Sequence, residues 1–277
     1  MKRLTFCLIL AFAAFAPFAH AGKVIKGAIP GGQYGVVIEA AFPNTPKLDG
    51  DLDELVWNYA PWHVVGAKDG TVPADSDKDA SVAFAVAADD QFLYVAAKVT
   101  DDAIVSNEDV GCDVWKDDSV ELYVDMGNEK ANSYDANDAQ ITVGADFIGV
   151  KADAALAVDL LGGCVGITQG PATGTMATAT ETANGWNVEI AIPLANDGWT
   201  VKLKDGLVIG FNLHYNDDDD KGDRDSKLIW SEQEVQLGEA SWRDPSRFAE
   251  LKFVEATLDV DAAGRLATVW GALKGAR

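Results

Sequence analysis

The sequence predicts an all-β protein: an antiparallel β-sandwich of jelly-roll-like, immunoglobulin-like two-sheet architecture, with one short N-terminal helix. Three observations carry this. Segments of alternating polarity recur along the chain in the pattern of a sandwich or barrel, Asp, Asn and Gly turn signals separate them, and the length leaves room for one large all-β domain or two small ones. A domain of that size buries about three quarters of its unfolded surface, so it needs no staples to hold a core. No internal repeat is visible.

The elements follow in order. Lys2 and Arg3 precede an apolar stretch over residues 4–18, and Ala19-His20-Ala21 gives the small–x–small pattern of a cleavable export leader. That stretch is too short to span a bilayer, and Cys7 lies at its start, where a lipoprotein anchor would need it at the end. The expectation is a secreted or periplasmic chain beginning at Gly22. Residues 22–35 are Gly-rich and read as a loose lead-in, 36–256 as the sandwich and 257–277 as a short tail with a helical stripe of Leu266, Val269, Trp270 and Leu273. The single helix is read from Leu52, Leu55, Val56, Tyr59 and Ala60, with Asp51 and Glu54 resembling a capping pair.

The strands are read from alternation. Val82, Phe84 and Val86 share a face, Asp89-Asp90 turns the chain, and Leu93, Val95, Ala97 and Val99 form the next face. Val120, Leu122 and Val124 alternate with Glu121, Tyr123 and Asp125. Trp186, Val188, Ile190 and Ile192 follow an Asn184-Gly185 turn, and Leu207, Ile209, Phe211 and Leu213 alternate with Val208, Gly210, Asn212 and His214. One apolar and one polar face is the signature of antiparallel sheets.

Composition limits the function classes. Acidic residues outnumber basic ones, 44 to 22, and losing Lys2 and Arg3 with the leader deepens the formal charge from −22 to −24. Such a field repels phosphate backbones and anionic lipid, and suits neutral ligands and hard cations such as calcium. Once the leader is removed, Cys112 and Cys164 remain, and in an oxidising compartment the pair suggests one disulfide.

Catalytic signatures are scarce. There is no Gly-x-Ser-x-Gly elbow, P-loop or dinucleotide turn. His63 and His214 lie far apart and read as surface or satisfied residues rather than zinc ligands. Asp49, Asp51 and Asp53 begin like an EF-hand loop, but Glu54 stands where Gly is required and Ala60 where a bidentate Glu is required. Residues 217–220 with Asp223 and Asp225 form an acidic hairpin loop, either a solvated tip or a calcium site. Residues 115–125 are the most informative stretch. With Val120, Leu122 and Val124 facing inward, Glu121, Tyr123 and Asp125 line the other face beside Trp115. A ring next to carboxylate acceptors suits a sugar; a core Trp beside a solvated polar face fits equally.

These residues resemble a family 9 carbohydrate-binding module, the type appended to secreted xylanases. The likeness runs through Leu48-Asp-Gly-Asp-Leu-Asp-Glu-Leu-Val-Trp57, Asp90-Gln-Phe-Leu-Tyr-Val95, residues 115–125, Gly185-Trp-Asn-Val-Glu-Ile-Ala-Ile-Pro193, Ile209-Gly-Phe-Asn212 and Ser241-Trp-Arg-Asp-Pro-Ser-Arg-Phe248, in order over about 200 residues. The resemblance implies a β-sandwich in which two tryptophans, here Trp115 and Trp242, clamp a terminal sugar while Glu121 accepts from its hydroxyls. Characterised members carry Arg where Thr142 falls and Asn where Glu239 falls, so the polar contacts differ here. The implied function is non-catalytic carbohydrate binding. Two alternatives stand beside it: part of a glycoside hydrolase system whose catalysis is supplied in trans, and a haem-binding sandwich of the related cytochrome type with Met126, Met176 and His214 as candidate ligands.

Overall fold

A computed structural model describes residues 25–29, 33–42, 45–106, 111–150, 152, 172–220 and 222–255. The leader, Cys164 and the tail lie outside them, so the expectations of export, of a Cys112–Cys164 bridge and of a helical stripe in the tail do too. The described elements are β1 (Ile25–Ile29), β2 (Gln33–Phe42), α1 (Leu55–Tyr59), β3 (His63–Val65), β4 (Gly70–Val72), β5 (Ala80–Ala88), β6 (Phe92–Asp101), β7 (Ser119–Asp125), β8 (Asp138–Gly144), β9 (Met176–Thr182), β10 (Gly185–Pro193), β11 (Val208–Asp217), β12 (Ser226–Ile229), α2 (Glu232–Leu237) and β13 (Ala249–Glu255).

The strands form a β-sandwich. One layer runs β3-β5-β6-β10-β9. In the other, β8 pairs with β7 and β7 with β11; β11 also pairs with β13 near its start and with β12 near its end. The layers connect through β2, which runs parallel to β13 and meets β5 at the single pair Ala41–Ala87. The remaining pairings between these strands are antiparallel. Inward residues such as Val82, Phe84, Leu93, Val95, Leu122, Ile141, Trp186, Ile190, Phe211, Leu213 and Phe253 are buried in one core. The alternation in the sequence therefore marks the core face correctly.

Two details depart from expectation. Within residues 22–35, Ile25–Ile29 form a strand, β1, that pairs antiparallel with the start of β2, Ile25 opposite Val37, consistent with the strand preference of Ile29, Val36, Val37 and Ile38. The helix begins only at Leu55, with Glu54 at its N-cap making no side-chain cap, so the Asp51–Glu54 capping pair does not form. The Asp51 N–H donates instead to Asp49 Oδ1 at 3.1 Å.

Both outer faces are covered. On the first layer, Trp57 packs on the small side chains Ala85, Ala87, Ala96 and Ala191 beside Tyr94. Glu189 on β10 pins this segment by accepting from the Asp49 and Gly50 N–H groups at 3.0 and 2.9 Å and from Trp57 Nε1 at 2.9 Å. On the second layer, the stretch from Ser231 to Phe248 overlies the polar faces of β7 and β11, and that cover creates the site.

Candidate functional site

Strand register sets the floor. Glu121 lies opposite His214 on one side and Thr142 on the other, and Tyr123 lies between Asn212 and Gln140. Alternation leads one to expect this face in water, yet Glu121, Tyr123, Asn212 and His214 are buried. Buried polar groups need partners, and here they find one another. The Glu121 carboxylate accepts from Gln140 Nε2 at 2.8 Å and the Tyr123 hydroxyl at 3.0 Å, and forms a close ion pair with the fully buried Lys227 ammonium. Lys227 also donates to Asn216 Oδ1 at 2.7 Å. Burial alone would raise the Glu121 pKa, but Lys227 and His214 outweigh it and hold the carboxyl well below its ordinary range.

Ser231 begins α2 by accepting the Glu234 N–H at 3.3 Å, which turns the Glu234 side chain down onto the floor. Its carboxylate meets His214 Nε2 at 2.8 Å and accepts from Asn212 Nδ2 at 2.6 Å, Ser241 Oγ at 2.5 Å and the backbone N–H groups of Ala240 and Ser241. Against the upward push of burial, these contacts pull its pKa down to about 2. Glu234 therefore fastens the 238–248 loop to the sheet.

The rim is more open. Trp115 sits half-buried in a 3-10 turn, Gly111–Lys116, which also carries Cys112. Trp242 directly follows buried Ser241 and is 40% exposed, with the Arg243 guanidinium 4.9 Å from its ring centre. Glu239 pairs with Arg224, whose guanidinium lies 4.8 Å from the Trp115 ring centre. Thr142 is buried and its Oγ1 has no partner; Gln140 Oε1 is likewise unpaired. A continuous chain of contacts thus runs from Trp115 through Arg224, Glu239, Lys227, Glu121 and His214 to Glu234 and Ser241, next to Trp242.

A second cluster lies where β6 ends and the β11–β12 loop begins. Carboxylate oxygens of Asp101, Asp217 and Asp219 come within 4.8 Å of one another, and Asp218, Asp220 and Asp225 form a similar group. Neither oxygen of buried Asp217 has a hydrogen-bond partner of good geometry, and the neighbouring Ser226 hydroxyl only partly offsets burial and Asp101, which push its pKa up to about 7. Burial and Asp101 push Asp118 up to about 9. Asp49, Asp51 and Asp53 take no part in these groups.

The haem candidates occupy three environments. Met126 is in the central core, Met176 packs on the outer Trp57 cluster, and His214 is engaged by Glu234. His214 is thus a member of a buried network, on the outer face of β11 beneath the covering stretch. Sequence reasoning missed Arg224, Lys227 and Glu234; for Glu234 the signal was the Ser231-x-x-Glu234 capping pattern.

Residues 48–256 match the family described as carbohydrate family 9 binding domain-like. The chain is 30% identical over 223 residues to endo-1,4-beta-xylanase A of Thermotoga maritima, covering 80% of this chain and 18% of that protein. It is 29% identical over 215 residues to exoglucanase XynX of Acetivibrio thermocellus, covering 77% and 17%. The chain therefore spans less than a fifth of these curated relatives. Among solved structures, a family 9 carbohydrate binding module from Caldicellulosiruptor kristjanssonii in complex with cellotriose shares the fold, with TM-score 0.61 and 21% identity over 80% of this chain and 95% of that one. The same organism's module in complex with glucose gives TM-score 0.59 at 21% identity, covering 80% and 97%.

Proposed function

The chain belongs to the carbohydrate family 9 binding domain-like proteins, and from that premise we propose that it is an exported, non-catalytic carbohydrate-binding protein whose Trp115 and Trp242 hold a glycan end above Glu121. The observation that carries this reading is the contrast at Trp242. An indole 40% exposed stands beside a floor whose carboxylates are sealed from water. Exposed aromatic surface next to ordered polar groups suits a pyranose, whose C–H faces stack on rings while its hydroxyls meet donors and acceptors. The unpaired Thr142 Oγ1 and Gln140 Oε1 offer further polar atoms at the floor. The complexes of the similar modules with cellotriose and glucose support a neutral sugar as ligand. Hydrolysis of the bound polysaccharide belongs to a separate catalytic partner. The basic and apolar leader supports export.

Calorimetric titration with cellotriose and glucose tests the clamp. Truncating an aromatic anchor costs about 2 kcal/mol, so Trp115→Ala and Trp242→Ala should each weaken binding roughly 30-fold. Melting temperatures should stay within a few degrees of wild type, because both rings lie on the rim. Unchanged affinity, or a collapsed melt, would show that these tryptophans serve the fold alone.

The Asp101, Asp217 and Asp219 cluster supports a second ligand, calcium. Two buried carboxylate oxygens of Asp217 without good partners are what a hard cation would satisfy.

A further inference from the structure

Between β11 and β12 the chain passes through a run of carboxylates interrupted by Arg224, and that guanidinium reaches the sugar site. Its carbon is 4.8 Å from the centre of the Trp115 ring. Nη2 stands 3.1 and 3.3 Å from the two Glu239 oxygens, and Nη1 donates to Asn216 Oδ1 at 3.2 Å. Asn216 is itself buried and held by Ser119 Oγ at 2.9 Å and by Lys227, so the inner edge of the guanidinium is fixed. A contact of 3.6 Å between Lys116 Nζ and Asp223 ties the same loop to the turn that carries Trp115. The outer edge is open: the Arg224 and Glu239 side chains are 20% and 21% exposed. The described contacts use Nη1 and Nη2 of Arg224, and a carboxylate carries more lone pairs than these contacts occupy.

We propose that Arg224 and Glu239 together read a vicinal diol on the neutral sugar lying against Trp115, which makes Arg224 a specificity-determining residue. This rests on the sugar-binding reading of the same site. A hydroxyl both donates and accepts, so two neighbouring hydroxyls match a donor fork beside a carboxylate. Bonds to ionised partners are the strong ones, and a guanidinium already held by Asn216 and Glu239 loses little freedom on binding. A sugar acid fits less well. Its carboxylate would meet Arg224 but also face Glu239, Glu121 and the field of a chain with net charge −22. A site that hydrogen-bonds a hydroxyl rejects the analogue lacking it, because the site's polar groups are then left unpaired.

Calorimetry with glucose and its 2-, 3- and 4-deoxy analogues, on wild type, Arg224→Lys and Glu239→Gln, decides the assignment. Wild type should bind glucose about ten-fold or more tighter than two analogues lacking neighbouring hydroxyls. Each variant should shrink that preference to about three-fold or less while leaving the third analogue's ratio unchanged, with melting temperatures within about 2 °C of wild type. A uniform loss for glucose and every analogue would make Arg224 a support for Trp115 and overturn the proposal, as would an unchanged deoxy profile. If wild type binds neither glucose nor cellotriose, the sugar-site reading itself falls. If Trp115→Ala abolishes binding while Arg224→Lys keeps the deoxy profile, only the diol assignment falls.

Discussion

His63 is a buried imidazole on the short strand β3, with Phe84 and Trp230 rings 5.4 and 6.1 Å away and its Nε2 unpaired. Burial lowers its pKa from the ordinary 6.5. The unfolded chain therefore takes up a proton near pH 6.5 that the native state refuses until lower pH. Protonation favours unfolding, so the stability this residue contributes is present above pH 6.5 and is lost as pH falls below it. Urea titrations at about pH 7.5 and 5.5 should show wild type losing more stability on acidification than His63→Leu, by up to roughly 1.4 kcal/mol per pH unit. Equal losses in both proteins would mean that His63 does not set this slope. The difference between proteins is the informative quantity, because raised carboxyls such as Asp138, pushed up to about 7 by burial, act in the opposite direction. From sequence, His63 reads as a surface or satisfied residue because a strand of three residues is too short for alternation to reveal its face. Trp115 and Glu121 draw attention in the sequence because the first precedes, and the second lies within, a strand of seven residues with a clean apolar face. Lys227 is not legible: nothing local says that a lysine in an acidic hairpin turns inward to meet Glu121, 106 residues away.

Among elements, the stretch from Leu48 to Trp57 shows how a short helix without a side-chain cap is kept. A five-residue helix is marginal by itself. It is held by Trp57 on an alanine-lined face and by Glu189, which collects donors from Asp49, Gly50 and Trp57. Gly50 permits this approach: its φ is +83°, and an added Cβ would lie 2.4 Å from Thr180 Oγ1. Glu189→Gln keeps the size but aims an NH₂ group at some of these donors. It should cost about 2 kcal/mol, read as a lower urea midpoint at unchanged slope. A midpoint equal to wild type would mean that the indole packing alone holds the segment. The strands around Phe84, Val95, Leu122, Ile190 and Phe211 were legible because each presents large apolar residues to the core at period two. β9 was not, since its inward residues include the small Ala177 and Ala179, and α2 is too short for a helical period to emerge. The burial of the polar face was hidden for a different reason. It depends on a loop that follows β12 in sequence but lies over β7 in space.

At the scale of the whole molecule, the formal charge of −22 is not spread evenly over the surface. Asp101, Asp118, Asp217 and Asp218 are buried together at one end of the sandwich, where the Tyr215 hydroxyl bridges Asp101 and Asp118 at 2.6 and 3.1 Å. Crowded carboxylates repel one another most strongly where water cannot screen them, so this end opposes the folding that the rest of the core drives. A divalent cation bound by Asp101, Asp217 and Asp219 would convert that opposition into support, because a ligand that binds only the native state stabilises it by mass action. At a hundredfold excess over its dissociation constant the gain is about 2.7 kcal/mol, which in a protein of this size raises the melting temperature by roughly 5 °C or more. Calcium should exceed magnesium, since oxygen ligands set by a loop suit the larger and less demanding ion. Thermal melts in millimolar calcium, in chelator and in sodium chloride of matched ionic strength separate specific binding from screening of the net charge. The expected outcome is a calcium-specific rise that Asp217→Asn removes. Identical melts in calcium and chelator, or a rise that survives in Asp217→Asn, would leave the cluster as a buried acidic end whose charge the core simply tolerates.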